Sequence, residues 1–252
     1  VYSGHRGFTE VMLPSLKSGS HGYRNLETSW YLFAYDDELV LRAKDFETGE
    51  WLTEYDAVIP LGARENCPTE RYTDLPETAW YHAAVDDCFR RGLMNGVSDT
   101  RFDPESTLSR AMLATVLYRM AGSPAVAEKH GFVDVEAGSW YEAAVRWAWR
   151  SGIVNGVDET HFAPNEAVTR EQMAAMFYRY AAYWGFDTAR RAALDGYRDA
   201  ASISDYAKEP MAWAVARELL NGTSPTTVSP TEGATRAQIA AVLIRFCRKL
   251  GG

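Results

Sequence analysis

From Tyr72 onward, apolar residues recur at helical spacing in runs separated by polar, Gly- and Pro-containing stretches. Met173, Met176, Phe177 and Tyr180 share one helical face, as do Ile239, Val242, Leu243 and Phe246. Stripes of this kind form a core. The pattern predicts three pairs of helices. The first members span 81–91, 141–151 and 207–220; the second span 110–121, 170–184 and 236–250. Residues 1–66 follow another rhythm. Leu39, Leu41 and Ala43 alternate with Val40, Arg42 and Lys44, and two further runs, 30–35 and 51–59, flank them. Asp36-Asp37 and Thr48-Gly49 supply turn signals between the runs. A small β-meander of two or three strands is expected after a Gly- and Ser-rich start. So small a sheet is marginal alone, so it should pack on the remainder or be the tail of a larger upstream domain. Cys67 to Glu70 reads as a linker.

The helical part is written three times. Asn95-Gly96, Asn155-Gly156 and Asn221-Gly222 are each followed at fixed offsets by Pro104, Pro164 or Pro230, then by Ser109-Arg110, Thr169-Arg170 or Thr235-Arg236. Repeats of this length are the signature of stacked supersecondary units. The Asn-Gly glycine is expected to supply a left-handed helix cap, and the proline to stop early helix growth. Thr169 with Gln172 and Thr235 with Gln238 fit a capping box, whereas Ser109 faces Met112 and offers half of one. Arg110, Arg170 and Arg236 therefore open their helices, where a cation is mildly disfavoured by the helix dipole. Two readings account for the repetition. The guanidinium reaches back to a loop carbonyl or carboxylate, or it joins the helix N–H groups and the cap hydroxyl around an anionic ligand.

Composition narrows the function. The net charge of −8 disfavours nucleic acid and anionic membranes, so an anion must be caught by local pockets rather than by the global field. The 46% hydrophobic content supports a real core, and no run is apolar enough to span a membrane. Cys67, Cys88 and Cys247 are odd in number and not metal-spaced, and are expected as buried thiols rather than ligands. No cofactor or metal site is expected. There is no signal-peptide pattern, but the chain begins at Val1 without Met, which is compatible with a processed, exported product. His5, His21, Glu10 and Asp36-Asp37 are available for catalysis, yet no nucleophile elbow, metal-spaced histidines or phosphate loop accompanies them. No enzyme activity is expected.

Each copy opens with aromatic-x-Asp: Tyr72-Thr73-Asp74, Phe132-Val133-Asp134 and Tyr197-Arg198-Asp199. Trp80-Tyr81 and Trp140-Tyr141 follow in the first two copies, and Tyr206 takes the tryptophan position in the third. With Gly152-Ile153-Val154-Asn155-Gly156, Phe162-Ala163-Pro164 and Thr169-Arg170-Glu171-Gln172, these motifs resemble the S-layer homology domain family. The resemblance covers about residues 71–250 and divides them into repeats at 71–122, 132–185 and 197–250. It implies a mainly α fold, a pseudo-threefold helical spindle, preceded here by the small β-rich segment.

The resemblance further implies a non-catalytic module at the bacterial cell surface. Such a module anchors a protein to the wall through an anionic, often pyruvylated, secondary cell-wall polymer held in grooves between repeats. By position, Arg110, Arg170 and Arg236 correspond to the arginine that holds the carboxylate. Asp74, Asp134 and Asp199 correspond to the loop aspartate, and Trp80 and Trp140 to the groove tryptophan. Capping for the aspartates and core packing for the tryptophans stand as alternatives, whereas Trp147, Trp149 and Trp213 lie within helices and read as core. The acidic residue of the arginine motif is replaced by Met112, Gln172 and Gln238, and the Asp-Gly of the connecting loop by Asp99-Thr100, Glu159-Thr160 and Pro225-Thr226. A groove that depends on the opening loop of the third copy is the one expected to fail. The competing reading is a structural or protein-binding surface module, an S-layer component capable of self-association or an adhesin, with degenerate grooves. Arg→Ala variants would separate the two by abolishing wall binding while sparing the fold.

Overall fold

The computed structural model describes residues 9–13, 28–34, 38–45, 48, 50–60, 67–127 and 130–250, in two compact units, Val1–Cys67 and Pro68–Gly252. The first unit holds a four-stranded antiparallel sheet in the order β1 (Thr9–Leu13), β2 (Thr28–Ala34), β3 (Glu38–Asp45) and β4 (Trp51–Pro60). The three expected strands are present. Leu39, Leu41 and Ala43 pair in register with Ile59, Ala57 and Leu52, across a bulge between Leu41 and Ala43. β1 goes beyond the sequence expectation, because Thr-Glu-Val-Met-Leu runs from polar to apolar without the two-residue alternation that marks a strand. Asp36-Asp37, Gly49, His5 and His21 lie outside the described residues, and Thr48 sits in a turn.

The second unit contains α1 (His82–Arg90), α2 (Arg110–Met120), α3 (Glu142–Arg150), α4 (Arg170–Tyr183), α5 (Asp205–Ala216) and α6 (Arg236–Leu250). None is long and apolar enough to cross a membrane. Ser109 caps α2 through Met112 N, and complete capping boxes open α4 and α6. α5 starts earlier and stops earlier than expected. Its chain reverses at Glu218 (φ 53°), in the place held by Gly92 (φ 65°) and Gly152 (φ 69°) in the other copies. Each first helix thus ends at this left-handed residue, not at Asn-Gly. The Asn-Gly glycine has a different task. A Cβ on Gly156 would lie 2.2 Å from Asp158 O, 2.6 Å from His161 O and 2.8 Å from the Phe132 ring. Gly156→Ala is therefore expected to destabilise the unit by about 1–3 kcal/mol in a urea titration, as forced overpacking does.

Repeats interlock in a closed cycle. The second helix of each packs on the first helix of the next: α2 on α3, α4 on α5, and α6 back on α1. The loops close the same circle in miniature. Leu108 N donates to Ala234 O, Ala234 N to Val168 O, and Val168 N to Leu108 O. The apolar stripes point into one core that includes Leu113, Leu117, Met173, Phe177, Leu243 and Phe246. Trp213 and Trp147 are buried in it and Trp149 is half-buried at its edge. Cys88 is buried and Cys247 half-buried, neither in a disulfide; burial pushes the Cys88 thiol up to about 12.

Candidate functional site

The three repeated arginines are almost fully buried: Arg110 is 6% exposed, Arg170 5% and Arg236 7%. Each side chain crosses to the next repeat and grips two carbonyls there. Arg110 donates from Nε to Phe162 O (2.8 Å) and from Nη2 to Asn155 O (2.9 Å). Arg170 does the same to Val228 O and Asn221 O, and Arg236 to Phe102 O and Asn95 O. Arg110 and Arg236 also lie over the rings of Phe162 and Phe102. Among the described residues none of the three makes an ion pair, and burial lowers the pKa of each guanidinium below its ordinary value.

This geometry corrects one part of the anion-site expectation. The helix N–H groups do not converge with the guanidinium on an open site. Arg110 N and Ala111 N donate to Glu166 O and Pro164 O, and the starts of α4 and α6 are sealed by the next loop in the same way. The cap hydroxyls of Ser109, Thr169 and Thr235 accept from the third helical N–H. An arriving anion would meet guanidinium edges, not a helix end.

The aspartates are engaged within their own repeats. Asp74 accepts from Phe102 N and Asp103 N, Asp134 from Phe162 N and Ala163 N, and Asp199 from Val228 N and Ser229 N. The second residue of each pair is left-handed without being glycine: Asp103 (φ 60°), Ala163 (φ 58°) and Ser229 (φ 48°). Each carboxylate thus holds a strained loop, and that loop supplies a carbonyl to an arginine from the preceding repeat. For Asp74 and Asp199, burial would raise the pKa, but the amide hydrogen bonds outweigh it and the net shift is downward.

The tryptophans stand on the surface. Trp80 is 66% exposed and Trp140 62%, so neither is a core residue. Each ring is set edge-on against the buried tyrosine that follows it, at 5.2 Å for Tyr81 and 5.1 Å for Tyr141. Two grooves combine these parts. The first, about 430 Å³, is lined by Arg110, by Asn155, Gly156, Met176 and Arg179 of the second repeat, and by Tyr206 of the third. The second, about 300 Å³, is lined by Arg170, by Asn221, Gly222, Gln238 and Arg245 of the third repeat, and by Trp80 of the first. Both follow one rule. One repeat supplies the buried arginine, the next the floor, and the one after that the aromatic ring. The groove that depends on the opening loop of the third copy is therefore the first one.

Two features of these walls were not drawn from the sequence. An arginine recurs nine residues after the helix-opening one, as Arg119, Arg179 and Arg245, and its constant offset was the available signal. Glu171 is buried and accepts from Ser204 N, Ser204 Oγ and Tyr206 Oη at 2.9, 2.7 and 3.1 Å. Alanine holds the equivalent position in the other copies, as Ala111 and Ala237, so no pattern pointed to it.

Comparison with known proteins agrees with this architecture. Residues 71–112, 131–174 and 196–240, together about half of the chain, match the S-layer homology domain. The chain is 31% identical over 172 residues to an endoglucanase of Bacillus sp. (strain KSM-635), covering 68% of this chain and 18% of the enzyme. It is 30% identical over 165 residues to the surface-layer 125 kDa protein of Lysinibacillus sphaericus, covering 64% of this chain and 14% of that protein. It is 26% identical over 128 residues to the cellulosome-anchoring protein of Acetivibrio thermocellus, covering 47% of this chain and 28% of that protein. The chain thus spans less than a third of each relative. The likeness to the endoglucanase falls on its repeat region and carries no catalytic chemistry across.

Proposed function

The chain belongs to the S-layer homology domain family, and on that premise we propose that it anchors a larger protein to the bacterial wall by binding an anionic secondary cell-wall polymer in the grooves between repeats. It is an extracellular, wall-associated module with a non-catalytic role. One observation carries the glycan reading. A buried guanidinium and a surface aromatic ring, contributed by different repeats, border the same cavity in both grooves. Arg110 and Arg170 supply positive charge beside it, and Arg236 holds the equivalent place in the third set. Trp80 and Trp140 offer flat apolar faces to sugar rings. Asp74, Asp134 and Asp199 serve the site by fixing the loops that the arginines hold.

The test is calorimetric titration of the chain with a pyruvylated wall-polymer fragment, alongside the same fragment with its ketal removed. Binding that requires the ketal is the expected result. A folded chain that binds neither fragment would overturn the reading and favour a protein partner. Trp80→Ala should weaken binding about tenfold, the worth of one aromatic contact of roughly 1–1.5 kcal/mol. Its unfolding midpoint should stay where it is, because so exposed a ring contributes little to the core.

A further inference from the structure

The surface aromatics are supported in two different ways. Trp80 and Trp140 lean edge-on against the tyrosines that follow them, Tyr81 and Tyr141. The helices packed against α1 and α3, which are α6 and α2, carry Ala237 and Ala111 at their second position. In the third copy both elements change together. Ala207 follows Tyr206, and among the described residues no ring packs on Tyr206. The second position of the facing helix α4 is now Glu171. A carboxylate has replaced the supporting ring.

Glu171 is buried, and no cation pairs with it among the described residues. Taking a carboxylate out of water is costly, and the N-terminal end of α4 offsets only part of that cost. Three donors do the rest. Oε2 accepts from Ser204 N at 2.9 Å, and Oε1 accepts from Ser204 Oγ at 2.7 Å and Tyr206 Oη at 3.1 Å. A carboxylate can only accept, so the phenol commits its single proton to Glu171. Burial and the Glu171 charge push that phenol up to about 12, so it keeps the proton around neutrality. Tyr206 also lines the first groove, within electrostatic reach of Arg110 and Arg179. Charge alone does not define this cavity, because Glu166 and Asp134 favour the Arg110 cation that Arg179 opposes. The two guanidiniums offer donors, whereas Tyr206, its proton committed, offers only lone pairs.

Building on the wall-glycan reading above, we propose that Glu171 is a positioning residue that fixes Tyr206 as a one-way hydrogen-bond acceptor, so that the first groove selects a sugar presenting a hydroxyl or amide N–H to this ring over one presenting an ether or carbonyl oxygen. The tyrosine in the tryptophan position is then a specificity element with its own support. A stacked indole reads an apolar sugar face; an oriented phenol reads a polar edge.

Met176 lines the first groove and no methionine lines the second, so its methyl signal in a methionine-labelled full chain reports binding in this groove by NMR. The ligands are the pyruvylated wall-polymer fragment and the same fragment with its hydroxyls methylated. Wild type should prefer the free hydroxyls. Glu171→Gln should weaken binding of the free fragment about three- to tenfold, the worth of one hydrogen bond. It should also narrow the preference over the ether, because the glutamine amide can donate to Tyr206 and release the phenol proton. Tyr206→Phe should weaken binding to a similar degree, and Glu171→Gln added to it should cost no further affinity, as expected of a residue that acts through the phenol. Ser204→Ala removes another donor to the same carboxylate, and should lower the urea midpoint while leaving binding within about twofold. A Glu171→Gln loss that persists undiminished in the Tyr206→Phe background, or no loss at all, overturns the assignment. Calorimetric binding without a Met176 response does so too, and each of these outcomes leaves the wall-glycan reading standing. A wild-type chain that binds neither fragment overturns both.

Discussion

Replacing Arg236 by alanine is expected to destabilise the helical unit by roughly 3–5 kcal/mol, since hydrogen bonds to charged groups contribute about 1.5–3 kcal/mol each. This arginine is 7% exposed and donates to Phe102 O at 2.7 Å and Asn95 O at 2.6 Å. It also covers the Phe102 ring at 4.4 Å. Alanine would strand both carbonyls and open a void between α6 and the first repeat. The position has topological weight too, because these bonds join the last repeat to the first, 134 and 141 residues away along the chain. Urea unfolding should show a lower midpoint with an unchanged slope, as expected when stability falls without a change in buried surface. Arg236→Lys should recover only part of the loss, because an ammonium on a flexible stem cannot reproduce the fixed fork that reaches two carbonyls. A midpoint that does not move would show that water satisfies both carbonyls. The consequence for function is direct. The sequence alone suggested that Arg→Ala would abolish wall binding and spare the fold, but Arg110, Arg170 and Arg236 are structural ties. Loss of binding on their removal would not identify a ligand contact. Trp80 and Arg179, which lack such duties, are the informative positions.

What was legible in the sequence was whatever has a period or a fixed offset. The apolar stripes at 173–180 and 239–246 located α4 and α6, and the capping residues located their starts to the residue. The equal offsets of Asn, Pro and Arg gave the threefold arrangement. The destination of each guanidinium was left between two readings because its acceptors are backbone carbonyls, which every residue carries and no motif advertises. The helix ends are sealed by loops of a neighbouring repeat, a relation that exists only once the cycle closes. Glu218 takes a left-handed conformation that glycine holds in the other copies, so a search for glycine misses the end of α5. Arg179 was visible as a repeated arginine, but its lack of a hydrogen bond or ion pair among the described residues was not. Local pattern cannot report a missing partner.

Asp74→Ala is the second large effect expected, roughly 3–4 kcal/mol, from two charge-assisted amide bonds and the release of a strained backbone position. The carboxylate accepts from Phe102 N at 2.9 Å and Asp103 N at 2.8 Å, and Asp103 sits at φ 60° just before Pro104. Without that anchor the loop has no reason to keep the left-handed turn. Relaxing it would also displace the Phe102 carbonyl that Arg236 grips. Asp74→Ala and Arg236→Ala should therefore be less than additive in a double-mutant cycle, because each undoes part of what the other removes. The pH dependence follows from the sign of the shift. Burial raises the Asp74 pKa, the Phe102 and Asp103 amides and then Arg101 lower it, and the balance lies below the ordinary 3.8. A depressed folded pKa means the contribution is complete above the ordinary carboxylate range and is lost as pH falls through the folded value. The stability gap between wild type and Asp74→Ala should thus stay constant around neutrality and narrow only in acid, as wild type surrenders the same interaction. Asp74→Asn, with one amide oxygen left to accept, should fall between the two. Urea unfolding at neutral and acid pH measures all three, and a gap that stays constant into acid would show that the side chain acts through packing rather than through its charge.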